Sequence, residues 1–334
     1  MPLTPIVVLL AHGEAPPDGL DTLDGLAEVR LADDPATLAR ALDGAEVLFA
    51  WDFRSRLLAG AMAHAGSLRW IHAGSVGVDA VLVDEVVSGD IVVTNTRGVF
   101  ERPIAEYVLA LILMFAKDLH GTLALQRQRH WRHRGTEPID DRRVVVLGAG
   151  GVARELAPLL RAAGMHVDVV GRTARTGDGD LGQVHAGADA DELLAGADYV
   201  VMALPLTAET RGYLDGRRIG LLQGTARVIN VGRGPLIDQD ALLSALELGQ
   251  IAGAALDVFA QEPLAPEHPF WTMEQVIVSP HMSGDLVGWE RTVVEGLAEN
   301  LRRWRRGEPL RDVIDKRRLH GQAAPASPQG VHTR

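Results

Sequence analysis

A short glycine-rich segment offers the clearest chemistry in this sequence. Residues 143–160 read RVVVLGAGGVARELAPLL, which is an apolar run, a turn with Gly148 and Gly150, and an apolar pattern at helical spacing. A buried strand, a tight turn and a helix start in succession are typical of a dinucleotide pyrophosphate site, although an ordinary strand–helix turn shares the pattern. Gly148 permits the turn, and Gly150 lets the backbone approach a phosphate. The N–H groups that open the helix, on Gly151 and Val152, supply hydrogen-bond donors.

The next predicted strand indicates which dinucleotide this segment binds. A site for NAD usually places an acidic residue at the end of that strand, but here the strand runs into Arg172, Thr173 and Arg175, and the next acid is Asp178. Arg172 and Arg175 are suited to pair with a 2′-phosphate, and the Thr173 hydroxyl adds a donor. The sequence therefore favours NADP(H). The alternative is that the arginines are solvated loop residues and that NAD(H) binds without an acidic anchor.

Three further segments, each at the end of a predicted strand, contain candidate catalytic side chains. They are INVGRG with Arg233, LDVFAQEP with Glu262 and VSPHMSG with His281. Reduction of a 2-keto acid needs a hydride, a proton for the carbonyl oxygen and a cation for the carboxylate. Arg233 offers a planar fork of donors, and His281 is a suitable acid that Glu262 would orient and keep protonated. Taken singly, each is more often a surface arginine, a turn glutamate or a loop histidine.

Together with GAGGVA at 148–153 and ALPLTAETRG at 203–212, these segments resemble the D-isomer-specific 2-hydroxyacid dehydrogenase family, in its glyoxylate/hydroxypyruvate reductase-like branch. The resemblance extends to about Lys316. It implies catalytic roles for Arg233, Glu262 and His281. It also implies that residues 72–79 bind the substrate carboxylate through the backbone N–H groups of Val76 and Gly77, where the alternative is a plain strand–helix turn.

The resemblance also implies a set of cofactor contacts. Asp257 would lie near the nicotinamide carboxamide, and the loop after residue 203 would lie on the adenine side. Arg97 and Arg102 fall where the chain crosses between lobes, and we interpret Arg102 as a hinge anchor rather than a substrate contact. The expected cofactor-binding residues are Gly148, Gly150, Gly151, Val152, Arg172, Thr173, Arg175, Leu204, Pro205, Thr210, Val231, Gly232, Asp257, His281 and Gly284.

The elements that must position these residues alternate between strand and helix, which predicts an α/β protein with doubly wound parallel sheets. We expect two Rossmann-like domains, with the cofactor domain inserted into a flavodoxin-like substrate domain. Residues 1–100 and 285–317 would form the substrate domain and 101–284 the cofactor domain, with the ligand cleft between them. One long helix is predicted at 102–129, Asp238 is a predicted helix N-cap, and residues 318–334 are expected to be disordered.

Composition excludes several classes of protein. The 334 residues are 47% hydrophobic and 23% charged, with a formal net charge of −11, which argues against nucleic acid and anionic membrane as partners. The basic cluster RQRHWRHR at 127–134 is interpreted as a solvated helix end or subunit contact. The absence of cysteine excludes disulfides and thiolate chemistry, and we expect no metal site. No apolar run has membrane-spanning length, and we expect a cytoplasmic protein that forms a homodimer, the latter by family resemblance.

The sequence thus predicts NAD(P)H-dependent reduction of a small 2-keto acid, such as glyoxylate or hydroxypyruvate, to the D-2-hydroxy acid. His281 would supply the proton. The alternatives are a dinucleotide-sensing protein of the corepressor kind and a dehydrogenase of another small oxyanion.

Overall fold

A computed structural model describes residues 2–319, except for the side chain of Arg318. The chain divides into two compact units: unit 1 comprises residues up to Arg97 and from Gly288 onward, and unit 2 comprises Gly98–Val287. Unit 2 is therefore an insertion in the chain of unit 1, and the two boundaries lie three residues from those predicted.

Unit 1 is built on a parallel sheet with strand order β2-β1-β3-β4-β5. Its strands are mostly buried on both faces, as parallel strands covered by helices require. An apolar cluster that includes Val7, Leu48 and Ile71 forms the core on one face. The elements are β1 (Thr4–Leu9), β2 (Ala27–Ala32), α1 (Pro35–Leu42), β3 (Val47–Ala50), α2 (Leu57–Ala61), β4 (Trp70–Ala73), α3 (Asp84–Ser88) and β5 (Val92–Asn95).

Strand β2 was not predicted, because Glu28 and Arg30 interrupt its apolar run at the sheet edge. The start of α1 follows its sequence signals closely. The Asp34 side chain accepts hydrogen bonds from the N–H groups of Ala36 and Thr37, and Pro35 occupies the first helical turn.

Unit 2 contains a larger sheet with strand order β13-β12-β11-β10-β6-β7-β9-β8. All neighbouring strands are parallel except β8 and β9. The elements are α4 (Glu101–Ala116), α5 (Leu119–Arg127), β6 (Arg143–Leu147), α6 (Gly151–Ala162), β7 (His166–Gly171), β8 (Arg175–Asp178), β9 (Gly182–Ala186), α7 (Ala190–Ala195), β10 (Tyr199–Met202), α8 (Gly216–Ile219), β11 (Arg227–Asn230), α9 (Gln239–Glu247), β12 (Gly253–Leu256) and β13 (Val276–Val278).

Alternate residues of the central strands supply two cores on opposite faces of this sheet. Val145 and Val200 belong to one cluster, whereas Val144 and Val201 belong to the other, which also receives α4 and α6. The predicted N-cap of α9 is present: the Asp238 side chain accepts a 3.0 Å hydrogen bond from the Ala241 N–H.

The single helix predicted at 102–129 is wrong. The chain breaks at Asp118, which adopts φ 45° and caps α5 by accepting a hydrogen bond from the Gly121 N–H. The two helices α4 and α5 meet at 64°. In the described part of the chain no single helix could span a membrane by length and hydropathy, and only this bent pair passes the test when its two members are taken together.

The last two described helices, α10 (Trp289–Arg305) and α11 (Lys316–Leu319), belong to unit 1. Helix α11 includes residues 318 and 319, with which the predicted disordered tail began. The rest of that predicted tail lies outside the described residues.

Candidate active site

The turn after β6 has the backbone geometry that the glycine pattern predicted. Gly148 adopts φ 122°, a region that side chains avoid, and a Cβ there would lie 2.4 Å from the Ala203 carbonyl oxygen at the end of β10. Only glycine allows the turn to pass this close to the neighbouring strand. At Gly150, by contrast, a Cβ would meet nothing within 4 Å, so the turn is open at this residue.

The start of α6 completes a cradle for an anion. The Arg154 N–H donates to the Gly150 carbonyl, so the N–H groups of Gly151 and Val152 precede the first helical hydrogen bond. These donors and the partial positive charge of the helix start suit a pyrophosphate. The residues therefore fit a dinucleotide at this turn.

The segment after β7 forms the hairpin of β8 and β9, which the sequence did not predict. Arg172 and Thr173 are exposed and lie before the hairpin, whereas Arg175 begins β8. Arg175 Nε lies 3.1 Å from the Asp178 carboxylate, which also receives two hydrogen bonds of 2.7 and 2.9 Å from Arg154. The hydrogen bond from Arg154 and, secondarily, that from Arg175 hold the pKa of Asp178 at about 2. Arg175 thus pairs with Asp178 at the start of β8, and its side chain stays exposed.

Arg172 lies near the loop that follows β10. Hydrogen bonding by Thr207 lowers the pKa of Glu209 in that loop, and the charge of Arg172 contributes a smaller lowering. The loop is closed by Thr210, whose hydroxyl donates a 2.6 Å hydrogen bond to the Pro205 carbonyl. The predicted residues of this loop and Arg172 are therefore brought to the same region of unit 2.

The three candidate catalytic residues follow three adjacent parallel strands. Arg233 follows β11, Glu262 follows β12 and His281 follows β13, so all three start from the carboxyl edge of one sheet. His281 Nδ1 lies 2.8 Å from Glu262 Oε2. The sequence pattern thus led to a pair of side chains that are hydrogen-bonded in the structure.

Glu262 is held as a carboxylate. Burial alone would raise the pKa of Glu262, but the hydrogen bond and charge of His281, the Phe259 N–H and the charge of Arg233 together lower it. Because an ionised carboxylate only accepts hydrogen bonds, the Nδ1–H of His281 donates to it. Nε2 is then the ring nitrogen that can exchange a proton with a substrate.

The turn that carries Arg233 is fixed by Asn230, the last residue of β11. The Asn230 side chain donates to the Arg233 carbonyl at 3.0 Å and accepts from the Gly232 N–H at 3.1 Å. Gly234 packs directly on the next segment, since a Cβ on it would lie 1.8 Å from the Phe259 carbonyl carbon. Phe259 in turn donates its N–H to Glu262 Oε1 at 3.0 Å. A shift of the turn that carries Arg233 would therefore also move Glu262.

Asp257 anchors the turn that carries His281. The Asp257 side chain is 1% exposed and accepts hydrogen bonds from the Ser279 hydroxyl and the N–H groups of Met282 and Ser283, at 2.6, 3.0 and 2.9 Å. His281 adopts φ 57°, and its own N–H donates to the Asp257 carbonyl. The expected contact of Asp257 with the nicotinamide stays a prediction, but its carboxylate already has three donors that shape the histidine turn.

The remaining expected residues lie in two places. In unit 2, Val231 is buried beside Gly232, and Gly284 packs on Phe100 and Ile104 at the start of α4. In unit 1, Val76 and Gly77 are half-buried in the turn that follows β4.

The two arginines of the crossover have separate partners. Arg97 donates to Asn95 within unit 1, and Arg102 pairs with Glu106 at 2.7 Å and Glu155 at 3.7 Å within unit 2. Two acidic partners favour the interpretation of Arg102 as an anchor.

Sequence reasoning missed several residues that support the site: Arg154, Asn230 and Ser279. Asn230 stands directly before the glycine turn that was singled out, so its position was a usable signal. Ser279 also lies in a segment that was singled out, but its contact with Asp257, like that of Arg154 with Asp178, joins residues more than twenty positions apart and is not visible in the sequence.

Comparisons with known proteins agree with this geometry. The family profile described as D-isomer specific 2-hydroxyacid dehydrogenase, NAD binding domain, matches residues 109–283. A glyoxylate reductase of Thermococcus gammatolerans is 30% identical over 262 residues, which is 76% of this chain and 78% of that protein. A D-isomer specific 2-hydroxyacid dehydrogenase of Xanthobacter autotrophicus, solved with NADPH and MES, has a TM-score of 0.77 and 30% identity over 95% of this chain and 100% of that one.

An NADPH-dependent glyoxylate/hydroxypyruvate reductase of Sinorhizobium meliloti, solved with NADP and sulfate, has a TM-score of 0.80 and 28% identity, covering 94% of this chain and 98% of that one. The predicted α/β fold with parallel sheets is confirmed by these likenesses and by the strand order. The chain therefore belongs to the D-isomer specific 2-hydroxyacid dehydrogenase family and is an NAD(P)-dependent oxidoreductase.

Proposed function

We propose that this protein reduces a small 2-keto acid, such as glyoxylate or hydroxypyruvate, to the D-2-hydroxy acid, with NADPH as the preferred reductant. The observation that carries the proposal is the 2.8 Å hydrogen bond between His281 and Glu262, on the same sheet edge as Arg233. The names of the Thermococcus and Sinorhizobium relatives support the substrate class.

Each catalytic residue has one task in the proposed reaction. NADPH, when bound, supplies a hydride to the carbonyl carbon of the keto acid. His281 gives a proton from Nε2 to the carbonyl oxygen, and Glu262 stabilises the protonated ring and fixes its orientation. Arg233 binds the carboxylate and polarises the carbonyl through its planar donors. The keto acid thus gains one hydride and one proton, and the histidine regains its proton from water.

The preference for NADPH follows from charge near the end of β7. Arg154 and Arg175 pair with Asp178, and Arg172 is exposed near the loop that follows β10, so three guanidinium groups lie in the part of unit 2 where a 2′-phosphate is proposed to bind. Asp178 is not positioned as a single free acid for a ribose, because two guanidinium groups occupy its carboxylate. The relatives from Xanthobacter and Sinorhizobium, solved with NADPH and NADP, support the same preference. NAD(H) remains the secondary cofactor in this proposal.

In unit 1, the backbone N–H groups of Val76 and Gly77 are proposed to bind the substrate carboxylate. The homodimer, the cytoplasmic location and the absence of nucleic-acid and membrane partners stay predictions.

A direct assay tests the proposed reaction. The purified chain is mixed with NADPH or NADH and, separately, glyoxylate, hydroxypyruvate, pyruvate and phenylpyruvate, and the loss of reduced-nicotinamide absorbance is followed. We expect turnover with the two small acids and a higher kcat/KM with NADPH. Tight dinucleotide binding without turnover of any keto acid would contradict the proposal and favour a dinucleotide sensor.

A further inference from the structure

The turn that follows β4 is held in place by hydrogen bonds that its backbone carbonyl groups accept. Four carbonyls between Ala73 and Gly77 accept hydrogen bonds, three of them from Asn95, the last residue of β5, and Thr96, which follows it. These bonds fix the carbonyl side of the turn. The bonds are Thr96 Oγ1 to Ala73 O at 3.1 Å, Thr96 N to Ser75 O at 3.1 Å, Asn95 Nδ2 to Val76 O at 2.6 Å and Ser75 Oγ to Gly77 O at 2.7 Å.

Because each peptide group is planar, these carbonyl contacts also fix the direction in which the neighbouring N–H groups point. In a trans peptide the carbonyl oxygen of one residue and the N–H of the next point in opposite directions. The bond from Thr96 N to Ser75 O therefore turns the Val76 N–H away from the end of β5. The bond from Asn95 to Val76 O does the same for the Gly77 N–H. Within residues 2–319 neither of these two N–H groups donates to a protein acceptor.

Asn95 is itself fixed in one orientation. The side chain of Asn95 is 4% exposed, and its Oδ1 accepts a 3.2 Å hydrogen bond from Arg97 Nε. Its backbone N–H donates to the Asp312 carbonyl at 3.2 Å. Since Arg97 can only donate, the amide oxygen must face Arg97 and the amide NH₂ must face Val76.

We propose that Asn95 is a positioning residue for substrate binding, which aims the Gly77 N–H at the carboxylate of the keto acid. The inference rests on the proposed function, in which this turn binds that carboxylate. Asn95 contacts neither cofactor nor reacting atoms in this role. Its loss should therefore weaken substrate binding without slowing the chemical step at saturation.

The test uses two buried asparagines of unit 1 that make the same kind of contact. Asn300 is also 4% exposed, donates from Nδ2 to the Arg311 carbonyl at 3.2 Å and accepts from the Arg311 N–H at 2.8 Å. Asn95→Asp and Asn300→Asp each replace a buried donor with an acceptor that faces a carbonyl oxygen. We expect similar losses of thermal stability from the two changes.

The kinetic outcomes separate positioning from a general loss of stability. For Asn95→Asp we expect the KM for glyoxylate to rise about 10-fold or more, with kcat and the Kd for NADPH changed less than about 3-fold. For Asn300→Asp we expect the KM to stay within about 2-fold of wild type. Asn95→Ser and Asn300→Ser repeat the comparison with smaller side chains in case the aspartate variants do not fold.

Two results would overturn the inference while leaving the proposed function intact. One is a wild-type KM in the folded Asn95 variants, and the other is an equal rise of KM in the Asn300 variants. A wild-type protein that binds NADPH but reduces no keto acid would overturn both the inference and the proposed function.

Discussion

The contact between Gly234 and Phe259 allows a quantitative prediction about the active site. In Gly234→Ala the new Cβ would lie 1.8 Å from the Phe259 carbonyl carbon and 2.4 Å from the Ala260 nitrogen. These atoms are backbone, so no side chain can rotate away from the methyl group. Gly234 is buried, and the segment that it meets leads directly to Glu262.

The size of the effect follows from this distance. Carbon atoms pack at about 3.5 Å or more, so the new Cβ and the Phe259 carbonyl carbon must move apart by about 1.7 Å. Phe259 holds Glu262 through a 3.0 Å hydrogen bond, and Glu262 holds His281 at 2.8 Å. A displacement of about 1 Å at a catalytic group costs about 100-fold in rate. Overpacking of this kind also destabilises a protein by about 1–3 kcal/mol.

We therefore expect kcat for glyoxylate to fall about 100-fold in Gly234→Ala, while the Kd for NADPH stays within about 3-fold because the cradle at Gly148 is not in this contact. Gly224→Ala in the same unit is the control, because its Cβ would come no closer than 4.0 Å to the nearest atom. The measurements are steady-state kinetics, NADPH titration and thermal unfolding. A folded Gly234→Ala variant with wild-type kcat would refute the proposed connection between the arginine turn and Glu262.

Three further predictions address charge and pH. Glu262→Gln should lower kcat/KM about 10- to 100-fold, because the protonated histidine loses its carboxylate partner; an unchanged value would remove Glu262 from the mechanism. Arg172→Ala should weaken NADPH binding about 10-fold and NADH binding less than about 2-fold, and equal losses in parallel titrations would overturn the 2′-phosphate contact. Burial lowers the pKa of His72 to about 4, so the protein should lose up to about 3 kcal/mol of stability as the pH falls from about 6.5 to about 4. Urea unfolding across that range measures this loss, and an identical loss in His72→Gln would assign it to other groups.

The sequence predicted those parts of the site that depend on local pattern. The turn at Gly148 and the segments that carry Glu262 and His281 all follow short apolar strands, and parallel strands bring their carboxyl ends to one edge. A strand followed by a polar or glycine-rich motif can be seen in a single sequence. These residues could therefore be chosen without knowing the order of the strands in the sheet.

The parts that the sequence did not predict depend on partners distant in the chain or on polar strands. The hairpin of β8 and β9 has almost no apolar pattern, and its Asp178 is held by Arg154 across 24 positions. The helix break at Asp118 could not be predicted, because an aspartate within an apolar helical pattern is also compatible with a continuous helix. The role inferred for Asn95 likewise depends on a carbonyl 19 positions away.

The proposed reaction depends most on proton transfer by the imidazole of His281. The direct test is His281→Gln, measured by single-turnover reduction of glyoxylate with NADPH and by NADPH titration of the same sample. We expect the rate of reduction to fall by about 1,000-fold or more, with the Kd for NADPH within about 2-fold of wild type. Reduction within tenfold of the wild-type rate would contradict the account.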